Sequence, residues 1–172
     1  MDTENDRKET KIYLKSPDNK YRYALGTKGE KILYCFGINP STATIEKDDQ
    51  TMGKVKSFAC KNGFDSVIML NVYPQRATNP DYLDEKINLT EHRINLEKIM
   101  KVIENGSTVW AAWGNLIDKR PYLRDSLLQI QNKLKTKDIQ WVKIGNLTKK
   151  GNPRHPLYSK YQAFSEYVGV CD

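Results

Sequence analysis

Histidine and cysteine are scarce in this chain, with two of the first and three of the second among 172 residues. Cys35, Cys60 and Cys171 are odd in number and show no CxxC and no Cys/His spacing, so neither a disulfide framework nor a zinc site is expected. Cys35 and Cys60 read instead as small core residues of a protein kept in a reducing compartment. No GxSxG elbow, P-loop or GxGxxG is present, which removes most support from hydrolase, kinase and dinucleotide-binding readings of those types. No run approaches the roughly 18 apolar residues of a membrane span. The start, "MDTENDRKETK", is charged and lacks the apolar centre of a secretory signal. No membrane contact, no metal, no cofactor and a cytoplasmic location are therefore expected.

What is present starts with charge. Lys and Arg number 28 against 21 Asp and Glu, net +7, a balance that suits a polyanionic partner such as DNA or a nucleotide and equally a plain basic surface. The length suits one domain, taken as residues 11–172, with the charged residues 1–10 expected to stay disordered. Nothing in the sequence specifies an oligomeric state.

Four short apolar runs recur: "KILYCFGI" (31–38), "SVIMLNV" (66–72), "STVWAAWG" (107–114) and "IQWVKIG" (139–145). Continuous runs of this length suit strands buried on both faces. Between them lie helical stripes: Met52, Val55, Phe58 and Ala59 after Asp48 and Asp49; Ile94, Ile99, Val102 and Ile103 after Thr90; Leu123, Leu127, Ile130 and Leu134 after Asp118. Alternation of this kind predicts an α/β fold, three layers α/β/α around a central four-stranded parallel sheet, because parallel neighbours need long crossovers. Ahead of it, "KIYLKS" and "KYRYALGTK" flank the turn signal "PDN" and predict an additional N-terminal β-hairpin.

In such sheets ligands sit beyond the carboxyl ends of the strands. Four polar loops fall there: "GINPST", "NVYPQRATNP", "WGNLIDKR" and "GNLTKKGNPRHPLY". Any one of them is an ordinary strand-to-helix turn; four on one rim point to a site. Asn39, Ser41 and Thr42 offer amide and hydroxyl groups, and Asp48 and Asp49 are assigned to helix capping. Asn71 interrupts a strand end where Val or Ile would pack, so its amide either caps a turn or reads a flat heterocycle. His155, between Arg154 and Pro156 in a loop without apolar periodicity, is the candidate acid or base, whereas His92 in a helical first turn is expected to be exposed. Arg76, Lys150 and Arg154, with Lys149, Lys119 and Arg120, are candidates for phosphate contacts.

The segments "FGINPSTA", "DDQTMGKVKSFA", "LNVYPQRATNP", "AAWGN" and "KKGNPRHPLY" together resemble an uncharacterised bacterial and phage family, a domain of unknown function, over residues 21 to 160 or so. More distantly they resemble the uracil-DNA glycosylase superfamily. That resemblance implies a four-stranded parallel sheet flanked by helices and, residue by residue, a set of roles. Gly37, Ile38, Asn39 and Pro40 match the first motif, with Asn39 positioning the attacking water. Asn71 is similar to the asparagine that reads the edge of the base, and His155 with Pro156 resembles the start of the motif whose histidine stabilises the departing base. Ser41 stands where the superfamily places a bulky aromatic. Leu157 or Tyr158 takes the wedge position, and Phe58 and Tyr73 are the candidates for stacking on the base. Three functions stay open: hydrolysis of an N-glycosidic bond of an altered base in DNA, non-catalytic reading of a nucleotide or modified nucleic acid, and action on free nucleotides or nucleosides.

Overall fold

The computed structural model describes residues 9–44 and 46–168. Most of the segment expected to be disordered, residues 1–8, lies outside the described residues, as does Cys171; Thr10 already belongs to the first strand. The expected hairpin forms as β1 (Thr10–Lys15) and β2 (Arg22–Lys28). The first two apolar runs become β3 (Ile32–Gly37) and β4 (Ser66–Asn71), with helix α1 (Gln50–Lys61) between them. Helix α2 (Leu89–Val102), β5 (Thr108–Ala111), helix α3 (Pro121–Leu134) and β6 (Gln140–Ile144) follow in alternation, and β7 (Phe164–Glu166) comes last.

The sheet is larger than expected, and it is mixed. It holds seven strands in the order β1-β2-β4-β3-β5-β6-β7. β3 pairs in parallel with β4 and with β5, and β5 with β6; β2 joins β4 antiparallel and β7 joins β6 antiparallel. The hairpin is therefore part of the sheet rather than an appendage. Two features of β2 explain the merger. Tyr23, Ala24 and Leu25 are all buried. At Gly26 the backbone approaches β4 so closely that a Cβ would stand 2.0 Å from the Val67 carbonyl oxygen, which only glycine permits. At the other end, β7 covers the β6 edge that a four-stranded sheet would leave unpaired.

Alternate residues of the central strands feed two cores. Tyr34, Phe36, Ile68 and Leu70 pack with Ile99 and Ile103 from α2 and its end, and with Leu123 and Ile130 of α3. Leu33, Cys35, Val67 and Trp110 face Val55, Phe58 and Ala59 of α1 on the opposite side. Each fully buried aliphatic or aromatic side chain contributes roughly 1.5–3 kcal/mol of transfer free energy, which is why the two-faced runs specify the layered arrangement.

Local chemistry sets the helix ends. The Asp49 side chain accepts from Met52 N at 2.8 Å and caps α1. Asn88 does the same for α2 through Glu91 N, so that helix starts slightly ahead of Thr90. Two expectations fail here. His92 is 5 % exposed, with Nε2 2.8 Å from Gln129 Oε1, because positions 92, 96 and 99 share the stripe of α2 that meets α3. Cys60 is exposed, since Phe58 and Ala59 occupy the buried arc of α1 and the next position turns outward; Cys35 is fully buried as expected. Among the described residues no helix is long and apolar enough to cross a membrane.

Candidate functional site

A cavity of about 690 Å³ opens at the carboxyl ends of the parallel strands. The end of β3 contributes Gly37, Ile38, Asn39 and Ser41, and β4 contributes Met69 and Asn71. Trp113, Gly114 and Asn115 enter after β5, while Arg154, His155, Leu157 and Tyr158 close the far side. Arg22 at the start of β2 and Asp49 at the start of α1 also belong to the wall.

Asn71 lies directly across from Gly37 in the parallel pairing of β3 and β4. Its side chain is 2 % exposed, and its buried Nδ2 has no acceptor among the described residues. The strand carbonyl beneath it is held by Asn95 Nδ2 of α2 at 2.9 Å. The backbone is thus anchored while the amide is left for something else, which an asparagine kept only for packing would not need.

Asn39 shows the opposite division. Its Nδ2 donates to Ala77 O at 2.8 Å and lies within reach of Pro40 O and Gln75 O at 3.2 and 3.4 Å. Three carbonyl oxygens around one end of the amide identify that end as the nitrogen. Oδ1 is then the end left over as an acceptor, held in place by the bonds of its partner atom.

His155 stands between Arg154 and a 3-10 turn at Pro156–Tyr158. Its Nδ1 accepts from Leu157 N at 3.2 Å, so in the neutral ring the hydrogen resides on Nε2. Burial holds the imidazole below its ordinary value of 6.5, with Lys54 adding to the effect and Asp49 opposing it. A neutral ring with one fixed donor is the result. The loop carrying it is tied down repeatedly: Gly114 N donates to Pro153 O at 3.0 Å, Asn152 Nδ2 to Asn115 Oδ1 at 3.0 Å, and Lys54 Nζ to Leu157 O at 3.1 Å. Gly114 has φ +61°, and a Cβ there would stand 3.1 Å from that of His155.

Of the residues expected in the site, Gly37, Ile38, Asn39, Ser41, Asn71, Arg154 and His155 line the cavity together. Pro40, Tyr73, Arg76 and Lys150 are not part of the lining. Tyr73 is fully buried, with its hydroxyl on Asp84 Oδ2 at 2.5 Å, and Phe58 packs on Trp110 with ring centres 5.7 Å apart. Arg76 gives Nη1 to Ser41 O at 3.0 Å and Nη2 to the Tyr13 hydroxyl at 2.7 Å. Lys119 pairs with Asp81, and Arg120 is spent on the carbonyls of Asp81, Leu83 and Asp84. Both wedge candidates line the cavity, with Tyr158 83 % exposed at its mouth.

Among the lining residues that the sequence does not assign to the site, Trp113, Asp49 and Arg22 carry the most chemistry. Trp113, 1 % exposed, is a buried aromatic in the lining just past the end of β5, and the "WAAWG" run marks the strand without marking where this side chain points. The sequence assigns Asp49 only to capping, yet among the described residues it is the one carboxylate in the lining. Arg22 is 4 % exposed, and burial followed by the charge of Arg76 pushes its guanidinium down to about 10. No local signal distinguishes it from any other arginine in a hairpin.

Fold and cavity together define an α/β protein with a pocket of mixed apolar and polar lining at the carboxyl ends of its parallel strands. The chain belongs to the family described as "Protein of unknown function (DUF1643)", which matches residues 22–157 and so spans every lining residue except Tyr158. No curated protein and no solved structure matches the chain.

Proposed function

We propose that the cavity receives an altered base extruded from DNA and that its residues hydrolyse the N-glycosidic bond without a metal. The observation that carries this reading is the Asn71 amide, which is buried at a strand end, lacks an acceptor among the described residues and borders a cavity. An amide pairs donor and acceptor with the edge of a heterocycle. The glycosylase-like motifs around Asn39, Asn71 and His155 support the same assignment.

In this reaction a water oxygen bonds to the anomeric carbon as the C–N bond breaks, and the base departs with the bonding pair. Asn39 Oδ1 holds the water, and Asp49 takes its proton. His155 donates from Nε2 to the base atom on which charge develops, a role suited to a neutral ring in a partly desolvated site. Trp113 offers an aromatic wall, and Tyr158 at the mouth fills the stack that the base leaves. Arg154 at the rim, with Lys150 beyond it, meets DNA phosphates.

Base release from single- and double-stranded oligonucleotides carrying uracil, hypoxanthine, xanthine and oxidised bases tests the reading. Release by wild type, lowered about 10²–10³-fold in His155→Ala and similarly in Asn39→Ala, is the expected result. Absence of release from every substrate refutes catalysis. A second reading, binding or processing of free nucleotides, is favoured by size: about 690 Å³ is within the range of roughly 300–1,000 Å³ that accommodates whole small ligands rather than a base alone.

A further inference from the structure

Arg22 has an unusual position for a cation. It starts β2, is 4 % exposed and borders the cavity, yet it forms no ion pair among the described residues. Its backbone N donates to Pro74 O at 2.9 Å, which fixes the residue beside the loop that follows β4. Its Nη1 donates to Ala43 O at 2.9 Å, and its Nε has no acceptor. Arg76 lies near enough to repel it, and Arg76 also has a buried Nε without an acceptor. Asp49, the one carboxylate in the lining among the described residues, acts on Arg22 through space without pairing with it, while its Oδ1 is committed to Met52 N. A buried guanidinium normally has a carboxylate or phosphate on its fork, because desolvating it otherwise costs several kcal/mol.

The geometry points to Arg22 as an anion anchor: the cavity takes a ligand bearing a phosphate or carboxylate group, and Arg22 receives that group while the Asn71 amide reads the ring. The inference rests on the base-binding reading of Asn71 and adds what the ligand must carry. The cavity's size leaves room for a sugar and phosphate beside a base. The two sources of the anion are a nucleotide's phosphate ester and a carboxylate carried by the base itself.

Calorimetric titration of the full chain with a nucleoside, its 5′-monophosphate, uracil, orotate and inorganic phosphate separates them. The expected result is that one charged probe binds at least about tenfold more tightly than its uncharged counterpart, the worth of one charge-assisted hydrogen bond. Preference for the monophosphate over the nucleoside assigns a phosphate ester; preference for orotate over uracil assigns a carboxylate. In Arg22→Met the preference should fall below about twofold, and in Arg22→Lys it should return in part, since lysine keeps the charge without the fork. Because Arg22 also holds the Ala43 carbonyl, each variant is first checked by thermal unfolding, and Arg22→Lys decides if Arg22→Met does not fold. A charged-probe preference undiminished in a folded variant overturns the role of Arg22. Equal binding of charged and uncharged probes by wild type overturns the anion anchor and leaves the base-binding reading standing, whereas no binding of any probe overturns both.

Discussion

Replacing Asn71 by leucine separates a side chain retained for a ligand from one retained for the fold. The amide makes no side-chain hydrogen bond among the described residues, although the residue is only 2 % exposed. An unsatisfied buried donor costs about 1–3 kcal/mol, with the lower end appropriate where the group borders a cavity. Leucine has the same branched four-atom outline with somewhat larger volume that the bordering cavity can take up, keeps the strand carbonyl for Asn95 and adds apolar surface beside Met69. Asn71→Leu is therefore expected to leave stability unchanged or to raise it by about 1 kcal/mol, which for a domain of this size is a gain of about 2–4 °C in Tm. It is expected at the same time to abolish binding or release of a base. Urea and thermal denaturation, read beside the base-release assay, measure both sides. A loss of more than about 2 kcal/mol would refute the reasoning, because the amide would then be holding the fold together.

Gly114→Ala should cost about 1–2 kcal/mol in denaturation for its left-handed backbone and also weaken any activity, since the new methyl would press on His155; a change under about 0.5 kcal/mol would show that the turn relaxes freely. The burial-lowered His155 titrates with a definite sign. As pH falls the unfolded chain binds the proton first, so this residue's contribution to stability is whole above about 6.5 and is lost as pH drops through the lower native value. Denaturation midpoints between about pH 5 and 7 should consequently fall less steeply in His155→Gln than in wild type. If DNA is the partner, Arg154→Ala should weaken binding of all sequences alike and reduce the slope of log K against log salt by about one; an unchanged slope places Arg154 away from phosphate.

The central strands were legible in the sequence because a strand buried on both faces needs apolar residues at consecutive positions, and "LYCF" and "VIML" supply them without interruption. The helices between them showed their 3.6-residue period, and the position of the polar loops on one rim followed from the alternation of elements. Asn39, Asn71 and His155 stood out there because amide and imidazole groups end or follow apolar runs. His92 was misread for the converse reason. Its charged neighbours in sequence are not its neighbours in space, and its burial depends on α3, which starts 29 residues later.

What the chain order could not express was which distant segments meet. β2 enters the sheet beside β4, some forty residues away, and that pairing brings Arg22 to the same cavity as Asn71. Asp49 reaches the cavity because α1, which it caps, packs across Leu33, Cys35 and Val67. β7 is too short and too polar to announce itself, and it forms because the β6 edge offers unpaired hydrogen bonds. The sequence by itself determined the elements, their order and the polar loops, since those depend on local period and composition. The tertiary structure alone decided the mixed sheet and the meeting of a buried arginine and a buried strand-end amide in one cavity, since both depend on strand order and register between segments far apart in the chain.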